Sequence, residues 1–182
     1  MAARTLPTMP SWSTGQEITS SLLNQITTYA QFWANPPMFK MTQATVQSLA
    51  TGSFTQVTFD TLIWDSDSGR QAVTPFSYVI PFAGRWRFSW KAAFAVNATG
   101  SRMSALYQNG SVVTGGQDVT QAVSTASRTT DFPAGTESVL CNVGDVMAIY
   151  VLQDSGGALN TDVGSSGGQS FFEGRLESLA SP

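Results

Sequence analysis

The hydrophobic positions of the chain change their spacing near residue 38. Before this point, apolar residues recur every three or four positions, which is the spacing of one face of an α-helix. After it, short runs rich in β-branched and aromatic residues alternate with a period of two, as β-strands do. The sequence therefore predicts one short amphipathic helix followed by an all-β domain. The helical stripe consists of Ile18, Leu22, Leu23, Ile26, Tyr29, Phe32 and Trp33.

Local signals mark both ends of the predicted helix. Residues 14–17 read Thr-Gly-Gln-Glu, the T-x-x-E form of a capping box, so we expect the helix to begin there. Asn35-Pro36-Pro37 ends it, because proline lacks an amide donor and disfavours a helical residue before it. Residues 1–13 have no hydrophobic period and contain two prolines, which predicts an extended arm with Trp12 as its apolar exception. Residues 1–37 are thus an arm and helix, and residues 38–182 a separate β-domain.

The clearest predicted strand spans residues 85–97. Its aromatic residues fall on one face, while Arg85, Arg87 and Lys91 fall on the other, so the first face packs inward and the second is wet. Asn109-Gly110 predicts a two-residue hairpin turn. The other predicted strands span residues 39–49, 54–64, 76–82, 102–108, 138–142, 146–153 and 170–179, with one or two more within 110–130. About eight to ten strands at this spacing predict two sheets closing over one core. The expected core aromatics are Trp86, Phe88, Trp90, Phe94 and Phe172.

Composition narrows the range of functions. Only 12% of the 182 residues are charged, against a usual ~25%, and the net charge of −3 gives no long-range attraction to nucleic acid or to anionic membranes. No signal-peptide-like segment and no run of ~18 apolar residues occurs, so we expect synthesis in a cytoplasm and no membrane partner. The single cysteine, Cys141, lies in an apolar run and is expected to be a small buried residue.

Candidate chemistry is sparse. The chain has no histidine, which excludes every histidine-based triad and metal site. A glycosidase would need only two carboxylates ~5–10 Å apart, and twelve acidic residues leave that alternative open. Residues 65–69, Asp-Ser-Asp-Ser-Gly, have alternate carboxylates that suit calcium, although a solvated turn is the plainer interpretation. We expect no catalytic residue, no metal and no cofactor.

The β-region resembles the jelly-roll superfamily of tumour necrosis factor and the globular heads of complement component q. The residues that carry this resemblance are Pro81, Gly84, Trp86 and Phe88, then Gly144-Asp145-Val146, and finally Phe172, Gly174 and Leu176. The resemblance covers residues 38–180 and implies a jelly-roll β-sandwich. It also implies a homotrimer, because members of this superfamily bury one side of each sandwich around a threefold axis.

The N-terminal segment is similar to the start of virion proteins of tailed bacteriophages, which place a tryptophan and a glycine before a short helix ending in Leu-Asn. Here these are Trp12, Gly15, Ile18-Thr19 and Leu23-Asn24. This similarity implies a structural virion protein, such as a trimeric head fibre or capsid decoration protein. Its partners would be further copies of itself and the major capsid or tail protein. Trp12 and the helical stripe, from Ile18 to Trp33, would be the anchoring residues.

Other functions and other partners for the helix stay open at this point. A tail-tip or tail-fibre receptor-binding protein that recognises a host glycan has the same domain order, and a bacterial lectin-like module is a further alternative. The helical stripe exposes too much apolar surface to stay in water, so something must cover it. Its own β-domain, the same helix in other subunits and the viral shell or tail are the three possibilities.

Overall fold

The computed structural model describes residues 4–71, 73, 76–121, 134–164 and 169–179. Its helix, α1, spans Ser20–Ala34 and begins later than the sequence predicts. Thr19 is the N-cap residue, since its hydroxyl accepts a hydrogen bond from the amide of Leu22 at 3.3 Å. The expected start at Thr14 is wrong because Gly15 has φ +79°, a left-handed conformation that interrupts a helix. Asn35 ends the helix, as predicted, and its amide donates to the carbonyl of Gln31.

The described residues form twelve strands, of which eight have five or more residues and four have two. They are β1 Met38–Thr42, β2 Ser48–Leu49, β3 Thr55–Gln56, β4 Thr61–Asp65, β5 Tyr78–Val79, β6 Gly84–Lys91, β7 Ser101–Gln108, β8 Ser111–Gln121, β9 Ala134–Cys141, β10 Val146–Gln153, β11 Leu159–Asn160 and β12 Phe171–Leu179. Part of the strand expected within 110–130 is β8, and residues 122–130 lie outside the described ranges.

Two antiparallel β-sheets of five strands each pack face to face and form a jelly-roll sandwich. The first sheet has the order β4-β1-β12-β6-β9. The second sheet has the order β3-β10-β7-β8, and β5 also pairs with β10. All the ladders between named strands are antiparallel, and a small ladder joins β2 to β11. The predicted fold class is therefore confirmed.

Two predicted strands are each divided in the structure. Residues 54–64 form β3 in the second sheet and β4 in the first, so the chain crosses the sandwich between them. The crossing is held by Asp60, whose carboxylate accepts hydrogen bonds from the amides of Ala44 and Thr45 at 2.6 and 2.8 Å. The same contacts turn the chain after β1, which divides the strand expected at residues 39–49. Alternation of apolar residues predicts strand character but not where a strand changes sheet.

The space between the sheets holds the aromatic residues. Trp86, Phe88, Trp90, Phe94 and Phe172 are all almost fully buried there. The two buried indole groups keep hydrogen-bond partners, because Trp86 Nε1 donates to the carbonyl of Phe82 and Trp90 Nε1 donates to Ser104 Oγ, both at 2.9 Å. The strand β6 alternates buried and more exposed positions along its whole length.

Candidate functional site

The arm before α1 is fastened to the sandwich through Arg4. Its guanidinium group forms a bidentate pair with Asp67, which lies in the turn after β4, and it also donates to Ser66 Oγ at 3.2 Å. The same group donates to the carbonyl of Asn35 at the end of α1 and lies over the ring of Phe32, 5.4 Å from its centroid. One side chain therefore joins the arm, the helix and the β-domain.

Asp67 is 2% exposed, so its charge depends on these partners. Burial by itself raises the pKa of the Asp67 carboxyl, but the hydrogen bonds from Arg4 and Ser66 and the charge of Arg4 outweigh it. The resulting pKa lies below the ordinary value of an aspartate. Asp67 therefore stays ionised at neutral pH and holds the arm.

One flank of α1 packs on the β-domain. Leu22 and Phe32 are buried, and the ring of Phe32 meets the ring of Phe82 edge to face at 5.6 Å between centroids. Phe32 also contacts Trp33, which is half-buried, as is Tyr29. Four of the eight residues considered as anchors thus lie partly or wholly against their own chain.

Four other apolar residues of the N-terminal segment face solvent. Trp12 is 51% exposed, Ile18 70%, Leu23 52% and Ile26 40%. Ile18 lies before the helix and not on it. The fifteen residues of α1 include no charged side chain, so Leu23 and Ile26 offer apolar contact without a charge on the helix to desolvate, whereas Glu17 lies next to Ile18 in the sequence. We name these four residues the exposed flank.

A groove of about 960 Å³ lies between the arm, α1 and the end of β12. Leu6 and Met9 of the arm form one wall, and Tyr29, Trp33 and Leu179 line the rest. Leu6 and Met9 are exposed apolar residues that the sequence pattern did not single out, because an extended arm has no period that would mark a face. The groove therefore adds apolar surface to the N-terminal segment.

The carboxylates of the acidic turn after β4 accept hydrogen bonds from other groups of the same protein. Asp67 binds Arg4 and Ser66, while Asp65 accepts from the amides of Asp67 and Arg70 at 3.1 and 2.9 Å. The hydroxyl of Tyr78 lies 3.4 Å from Asp65 Oδ1. Within the described ranges, no three acidic, cysteine or histidine residues converge on a point that could hold a metal ion.

Charged residues on the outer face of the first sheet pair with one another. Lys40 lies 2.9 Å from Glu173, and Arg87 lies 3.6 Å from Glu177. The ammonium group of Lys40 also lies over the ring of Phe171 at 4.7 Å. This face therefore satisfies much of its charge internally.

The single cysteine, Cys141, is unreactive. Burial, with a smaller contribution from the charge of Asp145, raises the pKa of the Cys141 thiol to about 12, so this cysteine is not a nucleophile at neutral pH. The only helix among the described residues is too short and too polar to cross a membrane.

Comparison with known proteins identifies the fold. No family model matches the chain, and no curated protein matches its sequence. Among solved structures, Eiger TNF from S. frugiperda aligns over 80% of this chain and 94% of its own, with a TM-score of 0.55 and 10% identity. The globular domain of zebrafish complement 1qA protein aligns over 79% and 98%, with a TM-score of 0.55 and 16% identity. The PRD1 vertex protein P5 aligns over 78% and 97%, with a TM-score of 0.56 and 15% identity. At these identities the likeness concerns the fold alone.

Proposed function

We propose that this protein is a non-enzymatic structural component of a bacteriophage particle. In this account it is a trimeric head fibre or capsid decoration protein, held on the particle by its N-terminal segment and displaying the jelly-roll domain outward. The major capsid or tail protein of the same particle is the partner.

The exposed flank is the observation that carries this proposal. Four large apolar side chains of the N-terminal segment, Trp12, Ile18, Leu23 and Ile26, are 40–70% exposed, and a largely apolar groove opens between the arm and α1. Burying a fully exposed apolar side chain of this size contributes about 1.5–3 kcal/mol, and these four are 40–70% exposed, so covering each of them contributes part of that amount. Arg4 ties the start of the arm and the end of α1 to the β-domain, which reduces the conformational freedom that the helix loses on docking.

Two similarities to viral proteins support a role in a virus particle. The PRD1 vertex protein shares the fold, and its name places that protein at the vertex of a virus particle. The arrangement of Trp12, Gly15, Ile18 and Leu23-Asn24 is similar to the start of tailed-phage virion proteins. The jelly-roll resemblance implies three copies, and three anchors in one trimer bind with an avidity ~10²–10⁴ above one anchor if their spacing matches that of the sites.

The polar chemistry of the chain supports a structural rather than a catalytic role. No histidine is present, and the two carboxylates of the acidic turn, Asp65 and Asp67, are already engaged in hydrogen bonds and an ion pair within the protein. The thiol of Cys141 is buried and protonated.

A second candidate is a tail-tip or tail-fibre receptor-binding protein that recognises a host surface glycan. It is favoured by an uncharged aromatic surface on the outer face of the second sheet, where Tyr107 and Tyr150 lie with their ring centroids 4.2 Å apart. Aromatic side chains flanked by uncharged hydrogen-bonding groups are suited to recognition.

Substitution on the exposed flank tests the first candidate. In the double variant Leu23→Asp with Ile26→Asp, two carboxylates replace apolar contacts that docking would bury without a partner, which is strongly unfavourable. Leu22 is left unchanged because it is buried against its own chain. We expect the number of copies in purified particles to fall by at least about tenfold.

Val46→Asp is the matched control, since Val46 is an equally exposed apolar residue in a loop of the β-domain. Circular dichroism would check that both variants are folded. Incorporation of the double variant at the level of Val46→Asp would contradict the proposal, because attachment would then run through another surface.

A further inference from the structure

The outer face of the second sheet carries a row of aromatic and apolar side chains, which we name the tyrosine ledge. Tyr107 on β7 and Tyr150 on β10 lie with ring centroids 4.2 Å apart, and the ring of Phe54, just before β3, lies 6.1 Å from that of Tyr107. The remaining members are Met103, Val119 and Leu152. The ledge therefore extends across β10, β7 and β8 and includes the residue that precedes β3.

The strand register explains how the two tyrosine rings lie on the sheet. Tyr107 pairs with Ala148, and Tyr150 pairs with Ala105, so each large ring stands opposite a small residue. Both alanines point outward, yet Ala105 is 0% and Ala148 7% exposed. The two rings are well placed to cover them, and with centroids 4.2 Å apart and planes inclined by 32° they also partly stack on each other at the outer surface.

The polar groups of the ledge are uncharged. The hydroxyls of Tyr107 and Tyr150 form no hydrogen bond within the described ranges, and neither does the side-chain amide of the exposed Gln117 opposite Ala105. None of the outward-pointing described residues of β7, β8 and β10 is charged. The outer face of the first sheet, by contrast, carries paired residues such as Lys40 with Glu173 and Arg87 with Glu177.

This combination identifies a class of ligand. Aromatic rings provide flat apolar contact, and phenol hydroxyls and an amide provide uncharged donors and acceptors that fix orientation. A ligand that suits both has an apolar C–H face and many neutral hydroxyl groups. An anionic ligand would find no cation on the ledge and would meet a protein of net charge −3.

We propose that the tyrosine ledge binds a neutral polysaccharide, with sugar rings lying against Tyr107 and Tyr150 and sugar hydroxyls bonded to the phenol groups and to Gln117. The binding site is separate from the exposed flank, which lies on the N-terminal segment. The proposal does not depend on particle attachment; it rests on the second candidate function and specifies its ligand as a neutral polysaccharide.

Affinity electrophoresis tests the proposal with defined probes. The full chain would be run in native gels that contain dextran, galactomannan or xyloglucan, with anionic alginate as the charged comparison. We expect retardation by at least one neutral polysaccharide and none by alginate. The double variant Tyr107→Ala with Tyr150→Ala should weaken binding by at least about tenfold, since it removes both stacking surfaces.

Two further variants separate ring contact from folding effects. Tyr107→Phe with Tyr150→Phe keeps the rings over Ala105 and Ala148 and removes only the hydroxyls, so binding should weaken roughly 2–10-fold. Trp64→Ala is the control, because Trp64 is an exposed aromatic residue on β4 of the first sheet, and its binding should equal that of the unmodified protein.

Several results would overturn the proposal. They are the absence of retardation in all three neutral gels, retardation by alginate alone, and unchanged retardation of the double alanine variant. Loss of subunit association in that variant, seen by native mass spectrometry, would show instead that the ledge contacts a second copy. Incorporation of the variant into particles is measured separately, so failure of sugar binding and failure of virion attachment give different results.

Discussion

The guanidinium group of Arg4 and the carboxylate of Asp67 form two hydrogen bonds, from Nε to Oδ1 at 2.9 Å and from Nη2 to Oδ2 at 2.6 Å. The pair joins residues 63 positions apart and closes the arm onto the β-domain. Through its further bond to the Asn35 carbonyl, Arg4 also ties the end of α1 to this point of the jelly roll.

Removing this pair should destabilise the protein at neutral pH. Arg4→Ala leaves the buried Asp67 carboxylate without its main partner, and we expect a loss of about 2–4 kcal/mol in the free energy of unfolding. Denaturant melts at pH 7 measure it. Arg87→Ala is the control, because Arg87 is exposed and lies 3.6 Å from Glu177, and its loss should stay below about 1 kcal/mol.

The effect of Arg4→Ala should depend on pH. The pKa of Asp67 is lowered in the folded protein, so its contribution to stability is present above the ordinary aspartate pKa of about 3.9 and is lost as the pH falls through the lower folded value. The stability difference between the two proteins should therefore be largest near neutrality and shrink below about pH 4. A difference that stayed constant from pH 7 to pH 3 would show that Arg4 acts through packing on Phe32 instead.

The aromatic core can be tested at neighbouring positions of β6. Trp86→Ala or Phe88→Ala should cost about 3–5 kcal/mol, because each leaves a cavity between the sheets. Arg87, between them, points outward, so its substitution serves again as the control. Equal losses at positions 86, 87 and 88 in denaturant melts would contradict the assigned inward and outward faces.

Gly174 on β12 is a position where the core leaves no room for a methyl group. A Cβ atom there would lie 2.5 Å from Phe39 Cε1 and 2.8 Å from Phe88 Cδ1. Gly174→Ala should therefore destabilise the protein by about 1–3 kcal/mol through overpacking. Gly157→Ala, where a Cβ meets nothing within 4 Å, should be nearly neutral in the same thermal or denaturant melt.

Some of these features could be predicted from the sequence and others could not. The turn at Asn109-Gly110 was predictable because both residues tolerate the positive φ values of +52° and +80° that they adopt between β7 and β8. The inward face of β6 was predictable because alternation is a local property. One local signal gave a wrong prediction: the T-x-x-E pattern at Thr14 predicts a helix start there. In the structure Gly15 has a left-handed conformation, and Thr19 is the N-cap residue instead.

The missed features depend on contacts between distant parts of the chain. No local pattern connects Arg4 with Asp67, and none shows which flank of α1 meets Phe82. From the sequence, the helical stripe is expected to be one continuous apolar surface. In the structure, some of its residues are buried, such as Phe32, and others are exposed, such as Leu23. The tyrosine ledge likewise depends on the register of β7 against β10, which places Tyr107 and Tyr150 side by side.

Self-association is a further prediction. Three copies of the 19.4 kDa chain give an assembly of about 58 kDa, which native mass spectrometry at low micromolar concentration would detect. A homogeneous monomer under these conditions would contradict the trimer and, with it, the avidity that attachment by three anchors requires.

The most direct test of the account is to find the protein on purified particles and count it. Phage particles would be imaged by electron microscopy with a labelled antibody against the jelly-roll domain, and copies per particle would be measured by quantitative mass spectrometry. We predict label on the outside of the head, with a copy number that is a multiple of three. A few copies confined to the tail tip would favour the receptor-binding candidate, and absence from particles that are otherwise intact would contradict a structural role in the virion.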